Sequence, residues 1–130
     1  MTRIILSGAL GKMGKAITTC VENRNDREIV AGVDLADAEC SFPIFKTFAD
    51  INVDADVIID FSHPSVLEDL LAFAKEKKIP AVIATTGLNE QQIAEIKMLD
   101  TWFRKNYYDN MHLELTREGI EGIYGYQMKD

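Results

Sequence analysis

Short apolar runs alternate with stretches of helical periodicity along most of the chain. Arg3 to Ser7, built on Ile4-Ile5-Leu6, reads as a first strand. Glu28 to Asp34, built on Ile29-Val30-Ala31-Gly32-Val33, reads as a second. Val57-Ile58-Ile59-Asp60 is a continuous β-branched run of the kind buried on both faces of a sheet, and Ile79-Pro80-Ala81-Val82-Ile83-Ala84 is another buried strand. Phe42-Pro43-Ile44-Phe45 fits an edge, because Pro43 has no amide to give a central ladder. Between these runs, Lys15 to Asn23 is helical in pattern. Val66, Leu70, Leu71, Phe73 and Ala74 form an apolar stripe at helical spacing, as do Ile93, Ile96, Leu99 and Phe103. His63-Pro64-Ser65 opens the first of these stripes, with Ser65 and Glu68 spaced as a capping box, and Asn89 with Gln92 marks the start of the second. Strands alternating with helices predict an α/β domain with a mostly parallel sheet and helices on both faces.

Past about Leu99 the pattern changes. Lys105-Asn106-Tyr107-Tyr108-Asp109-Asn110 is polar and aromatic, and Met111, Leu113 and Leu115 alternate with His112, Glu114 and Thr116 as one strand would. Glu118 to Gly125 is glycine-rich and fits no element. The expected organisation is a domain over residues 1–97 and an atypical tail over 98–130 that completes the same domain or stands apart from it.

Composition narrows the classes. At 130 residues, 47% hydrophobic and 27% charged, the chain suits one globular domain. No apolar run nears the roughly 18 residues of a membrane span, and Arg3 to Ser7 is too short for a secretory leader, so no membrane partner and a cytoplasmic location are expected. A net charge of −7 argues against a nucleic-acid partner, which needs a basic face. Lys75, Lys77 and Lys78 suit the solvated end of a helix. Cys20 and Cys40 have no metal-ligand spacing and are expected as reduced packing residues, leaving no metal site.

The chemistry is concentrated in Gly8-Ala9-Leu10-Gly11-Lys12-Met13-Gly14, directly after the first strand. A strand ending in closely spaced glycines and turning into a helix directs that helix's unpaired first-turn amides at one point, which suits a phosphate. The spacing departs from G-x-G-x-x-G, and an ordinary strand-to-helix turn also uses glycines. Asp34 ends the second strand about 20 residues beyond the last glycine, where a Rossmann-type doubly wound fold holds the adenosine ribose. A polar cap on a strand end is the alternative role for Asp34. Thr85-Thr86-Gly87 follows the last strand at its carboxyl end, where ligands of open parallel sheets sit.

The glycine loop, Asp60-Phe61-Ser62-His63-Pro64 and Ala84-Thr85-Thr86-Gly87-Leu88 together resemble the amino-terminal half of bacterial dihydrodipicolinate reductase, over about Thr2 to Lys97. The resemblance implies an NAD(P)H-binding domain from an oxidoreductase of diaminopimelate and lysine biosynthesis. It implies that Gly8, Ala9, Leu10, Gly11, Lys12 and Met13 hold a pyrophosphate and Asp34 the ribose. Ala84, Thr85 and Thr86 would then lie against the nicotinamide, with Phe61 and Ser62 lining the same crevice. A carboxylate at Asp34 repels a 2′-phosphate, and Leu35 stands where relatives that favour the phosphorylated cofactor carry arginine, so NAD(H) is favoured. Lys12 keeps NADP(H) open, since a loop cation in similar reductases reaches toward that phosphate.

The same resemblance implies a substrate domain with paired histidines, a nearby lysine and a Gly-Thr turn. The chain has two non-adjacent histidines, His63 and His112, and no position inherits those catalytic roles. His63 suits a helix cap or crevice wall and His112 a surface site. Residues 98–130 replace or truncate the region that carries the chemistry, so the chain is expected not to be catalytically complete alone. Two alternatives stand beside this. One is a nucleotide-responsive protein-binding module whose tail, with Trp102-Phe103 and Tyr107-Tyr108, meets a protein partner without catalysis. The other is a small oxidoreductase of a neighbouring dinucleotide family.

Overall fold

The computed structural model describes residues 1–106, 112–114 and 123–125. The apolar runs become five parallel strands: β1 (Thr2–Ser7), β2 (Arg27–Val33), β3 (Ile44–Phe45), β4 (Val57–Asp60) and β5 (Ala81–Ile83). Their spatial order is β3-β2-β1-β4-β5. The chain winds outward from β1 through β2 to β3, then returns to the other side of β1 for β4 and β5. Strand order therefore reverses between β1 and β4, and in such sheets that reversal opens a crevice at the carboxyl ends.

Among the described residues, three helices, α1 (Lys12–Glu22), α2 (Leu67–Lys77) and α3 (Glu90–Asn106), accompany the sheet. Neighbouring strand residues serve opposite faces. Leu6 packs with Ala9, Phe42, Ile29, Ile59 and the α1 residue Ile17 on one side. Ile5, Ala31 and Ile58 join Leu70, Ala74, Ile96 and Phe103 of α2 and α3 on the other. Both faces are thus covered, which is the Rossmann-type doubly wound arrangement that the strand and helix pattern predicts.

Several local details differ from the sequence pattern. Helix α1 begins at Lys12, a turn before the predicted Lys15, because Gly11 takes the N-cap position in an extended conformation. The start of the second helical region is a 3-10 turn over Pro64–Val66 capped by His63, whose Nδ1 accepts from the Ser65 amide at 3.1 Å. Ser65 therefore lies within the turn and is not the capping residue. Asn89 and Gln92 do form a reciprocal box: the Gln92 amide donates to Asn89 Oδ1 at 2.8 Å and the Asn89 amide to Gln92 Oε1 at 3.0 Å. Cys20 and Cys40 are both exposed rather than packed. The inward face of α1 is set by Gly14 and Val21, which turns Cys20 outward, and Cys40 lies in the irregular connection before β3.

Helix α3 runs unbroken through residue 97 to Asn106, with Leu99 and Phe103 in the core. Trp102 packs edge-on to Phe103 and beneath Lys75 Nζ, 5.1 Å from its ring centre. Within the alternating stretch 111–116, β6 (His112–Glu114) pairs antiparallel with β7 (Ile123–Gly125), the latter drawn from the glycine-rich stretch. Tyr107, Tyr108, Met111 and Leu115 lie outside the described residues.

Gly14 marks the tightest packing constraint. A Cβ there would stand 2.2 Å from the Gly8 carbonyl oxygen and 2.6 Å from that of Ala9, both main-chain atoms that cannot swing aside. Gly14→Ala is therefore expected to cost about 1–3 kcal/mol by overpacking, read as a lowered urea midpoint. A second expectation concerns Asp56, which ties the start of β1 to the approach of β4. The Arg3 amide donates to Asp56 Oδ2 at 2.8 Å, and the guanidinium lies 3.4 Å from Oδ1. These bonds, the amide first, hold the Asp56 carboxyl below its ordinary range. A depressed carboxyl stabilises the fold above its unfolded value of about 3.9 and loses that contribution as pH falls through the folded one. Asp56→Asn should destabilise by under about 1 kcal/mol at neutral pH, the pair being solvent-screened. The gap from the parent chain should close in acid, as urea midpoints measured across that range would show.

Candidate functional site

At the strand-order reversal lies a crevice of about 450 Å³. Its floor and walls come from Ser7 and Gly8 after β1, Gly11 at the cap of α1, Val33 to Leu35 after β2, Lys46 to Phe48 after β3, and Phe61 to His63 after β4. Part of α2 and its preceding turn closes it, through Ser65, Val66 and Asp69. Ligand pockets of about 300–1,000 Å³ are typical for cofactor-sized molecules.

The glycine loop is shaped by its own backbone. Gly8 takes a left-handed φ of +78°, and a Cβ there would meet the Phe61 carbonyl oxygen at 2.5 Å, so β1 and β4 can close on each other only with glycine here. The amides of Gly8 and Ala9 both donate to the Val33 carbonyl, at 2.8 and 3.3 Å, and that of Gly11 donates to Gly8. The Leu10 amide donates to Asp34 Oδ2 at 2.9 Å. Four of the six loop residues thus have amides committed within the protein. What remains at the mouth is the first turn of α1 at Lys12 and Met13. No side chain caps it and no acidic residue sits in it, so the helix itself leaves its first-turn amides open.

Asp34 closes the loop from one strand over. Besides accepting from Leu10, it accepts from the Ala36 amide through Oδ1 at 3.1 Å, so both oxygens are aimed by main chain. Leu35 beside it is 80% exposed and brings no charge. The Ser7 side chain, also in the lining, is completely buried, and its hydroxyl has no partner among the described residues. A buried hydroxyl without a partner costs about 1–3 kcal/mol.

The structure brings Gly8, Gly11, Asp34, Phe61 and Ser62 together around one space. Ala9 instead turns into the apolar cluster under α1, and the side chains of Lys12 and Met13 are exposed outside the lining. The strand-end residues Ala84 and Thr85 are buried, and Thr86 is exposed, with none of the three on the crevice wall. Thr85 has a clear local task. Its Oγ1 donates to the fully enclosed carboxylate of Asp60 at 2.6 Å and accepts from the Ser62 amide at 3.1 Å, while Ser62 Oγ donates to the other Asp60 oxygen. This knot ties the end of β4 to the end of β5 directly behind Phe61 and Ser62. Ser7, Lys46, Thr47 and Phe48 escape motif reading, because a serine ending a strand and residues after a two-residue edge strand carry no local signature.

Residues 2–111 match the family described as dihydrodipicolinate reductase, N-terminus. The chain belongs to the dihydrodipicolinate reductase family. A 4-hydroxy-tetrahydrodipicolinate reductase of Clostridium botulinum is 45% identical over 97 residues, covering 75% of this chain and 38% of the relative. That of Clostridium novyi is 43% identical over 97 residues, with 74% and 38% covered. The chain thus spans about 38% of the length of these relatives. Among solved structures, a dipicolinate-bound dihydrodipicolinate reductase from a Paenisporosarcina species superposes with a TM-score of 0.65 at 24% identity, over 77% of this chain and 43% of that one. An NADP-bound pyrroline carboxylate reductase from Plasmodium falciparum shares the fold, with a TM-score of 0.54 at 18% identity over 72% and 37%. No helix among the described residues is long and apolar enough to cross a membrane.

Thr85 offers a direct test of the knot behind the crevice. Thr85→Val removes a donor from a buried carboxylate and an acceptor from the Ser62 amide, which should cost about 1–3 kcal/mol or more. Thr85→Ser should recover most of it. Equal stability of the valine variant and the parent chain in urea unfolding would show that the knot contributes nothing.

Proposed function

We propose that this chain is the pyridine-dinucleotide-binding domain of a dihydrodipicolinate reductase-like oxidoreductase of lysine biosynthesis, taking NAD(H) in preference to NADP(H). One observation carries the reading: the uncapped start of α1 opens at the reversal of strand order, with the Asp34 carboxylate one strand over. The donor set fits a dinucleotide. The first-turn amides of Lys12 and Met13 would meet the pyrophosphate. Asp34 would accept from the ribose diol with the lone pairs that Leu10 and Ala36 leave free. Phe61 and Ser62 line the β4 side of the crevice, and in this reading the nicotinamide end would lie beyond them toward Ala84, Thr85 and Thr86, which stand outside the lining.

A bound reduced dinucleotide supplies the hydride, and the protein must then neutralise substrate carboxylates and deliver a proton. Among the described residues, the crevice lining contains one lysine, Lys46, and one histidine, His63, and the latter is engaged as a cap. That supply is too small for a cyclic dicarboxylate, so in this reading the chain binds the cofactor and does not complete the reduction alone. We place the binding domain at residues 1–97. The passage of α3 through residue 97 favours a following segment that adds to the same domain.

Calorimetric titration of the purified chain with NADH tests the proposal. Saturable one-site binding is expected. Asp34→Ala should weaken it about tenfold or more, the loss of charge-assisted bonds to the ribose being on the order of 1.5–3 kcal/mol. A folded chain with no affinity for any pyridine dinucleotide would overturn the reading, and turnover of the cyclic imine dicarboxylate would overturn its incompleteness.

A further inference from the structure

Resting on the dinucleotide reading above, we propose that Lys46, held by Asp37, sets how far this crevice accepts a 2′-phosphate on the adenosine ribose. Lys12 in the glycine loop is not part of the crevice lining, and Leu35 next to Asp34 is uncharged. Lys46 is part of it. Its position follows from the sheet: Val33 pairs with Phe45, and the Asp34 amide donates to the Phe45 carbonyl at 3.0 Å. The residue after β3 is thereby brought alongside the two residues after β2, where the ribose hydroxyls would be held. Edge strand β3 supplies the cation that the loop after β2 lacks.

The electrostatics make this a balance. Among the described residues the crevice lining carries the carboxylates of Asp34 and Asp69, with Asp37 beside Lys46, and a phosphate monoester adds nearly two further negative charges. Lys46 is the lysine that opposes them in the lining, and its Nζ lies 3.6 Å from Asp37 Oδ2. Both partners of that pair are mostly exposed, at 61% and 79%, and such pairs contribute little. A phosphate can therefore draw the flexible lysine away from Asp37 at small cost. Asp34 disfavours the phosphorylated cofactor, Lys46 offsets that repulsion, and Asp37 limits how much of the lysine's charge is available.

The test measures affinities for NADH and NADPH by calorimetry on the full chain, with Lys46→Gln and Asp37→Asn variants verified as folded by circular dichroism. The ratio of NADPH to NADH affinity should fall about fivefold in Lys46→Gln, in keeping with one lost charge-assisted contact. It should rise about twofold in Asp37→Asn, which frees the lysine, and both changes should shrink at high salt. An unchanged ratio in Lys46→Gln overturns the inference while leaving the dinucleotide reading standing if NADH binds. Absence of binding by either nucleotide to the parent chain overturns both. The same fall in ratio produced by Lys12→Gln, with none from Lys46→Gln, returns the role to the glycine loop.

Discussion

A helix can direct its amide end at the middle of a sheet only if its backbone lies almost in contact with the strand that feeds it. Here that contact is main chain against main chain. Gly14, inside the first turn of α1, faces the carbonyls of Gly8 and Ala9 with no room for a methyl group, and Gly8 in turn faces the carbonyl of Phe61 on β4. These two glycines draw β1, α1 and β4 together at one point, and everything in the crevice is measured from there. The third glycine, Gly11, has a different use, since it has no side chain with which to cap the helix and so leaves the first turn open.

The regular part of the fold is plain in the amino-acid pattern because it rests on local periodicity. Val57 to Asp60 could be only a short buried strand, Pro43 could only tolerate an edge, and the stripe through Ile96 and Phe103 required a helix with one covered side. Boundaries depend on geometry that periodicity does not record. Helix α1 starts early because Gly11 adopts an extended cap, and His63 takes the capping role assigned to Ser65 because its ring nitrogen reaches the Ser65 amide. Exposure of Cys20 was hidden for a similar reason, as one residue of rotation on α1 separates Val21 inside from Cys20 outside.

The site divides the same way. Gly8, Gly11, Asp34, Phe61 and Ser62 stand in recognisable local motifs and line one crevice. Thr85 also stands in a motif, but its side chain turns inward to Asp60, a long-range pairing that no spacing in the chain announces. Lys46 and Phe48 reach the crevice because a two-residue strand happens to pair beside β2. Such contributions come from topology, and the strand order has to be known before they can be seen.

The two hydrogen bonds that hold Asp34 have a thermodynamic consequence. A carboxylate anchored by the amides of Leu10 and Ala36 is held in one orientation and forgoes the rotamer freedom of an untethered aspartate. Association then need not freeze that side chain, and the loop of the first glycine motif is immobilised by the same carboxylate. Preorganisation of this kind lowers the conformational entropy that any group meeting the carboxylate would have to offset, because the protein around it is ordered beforehand.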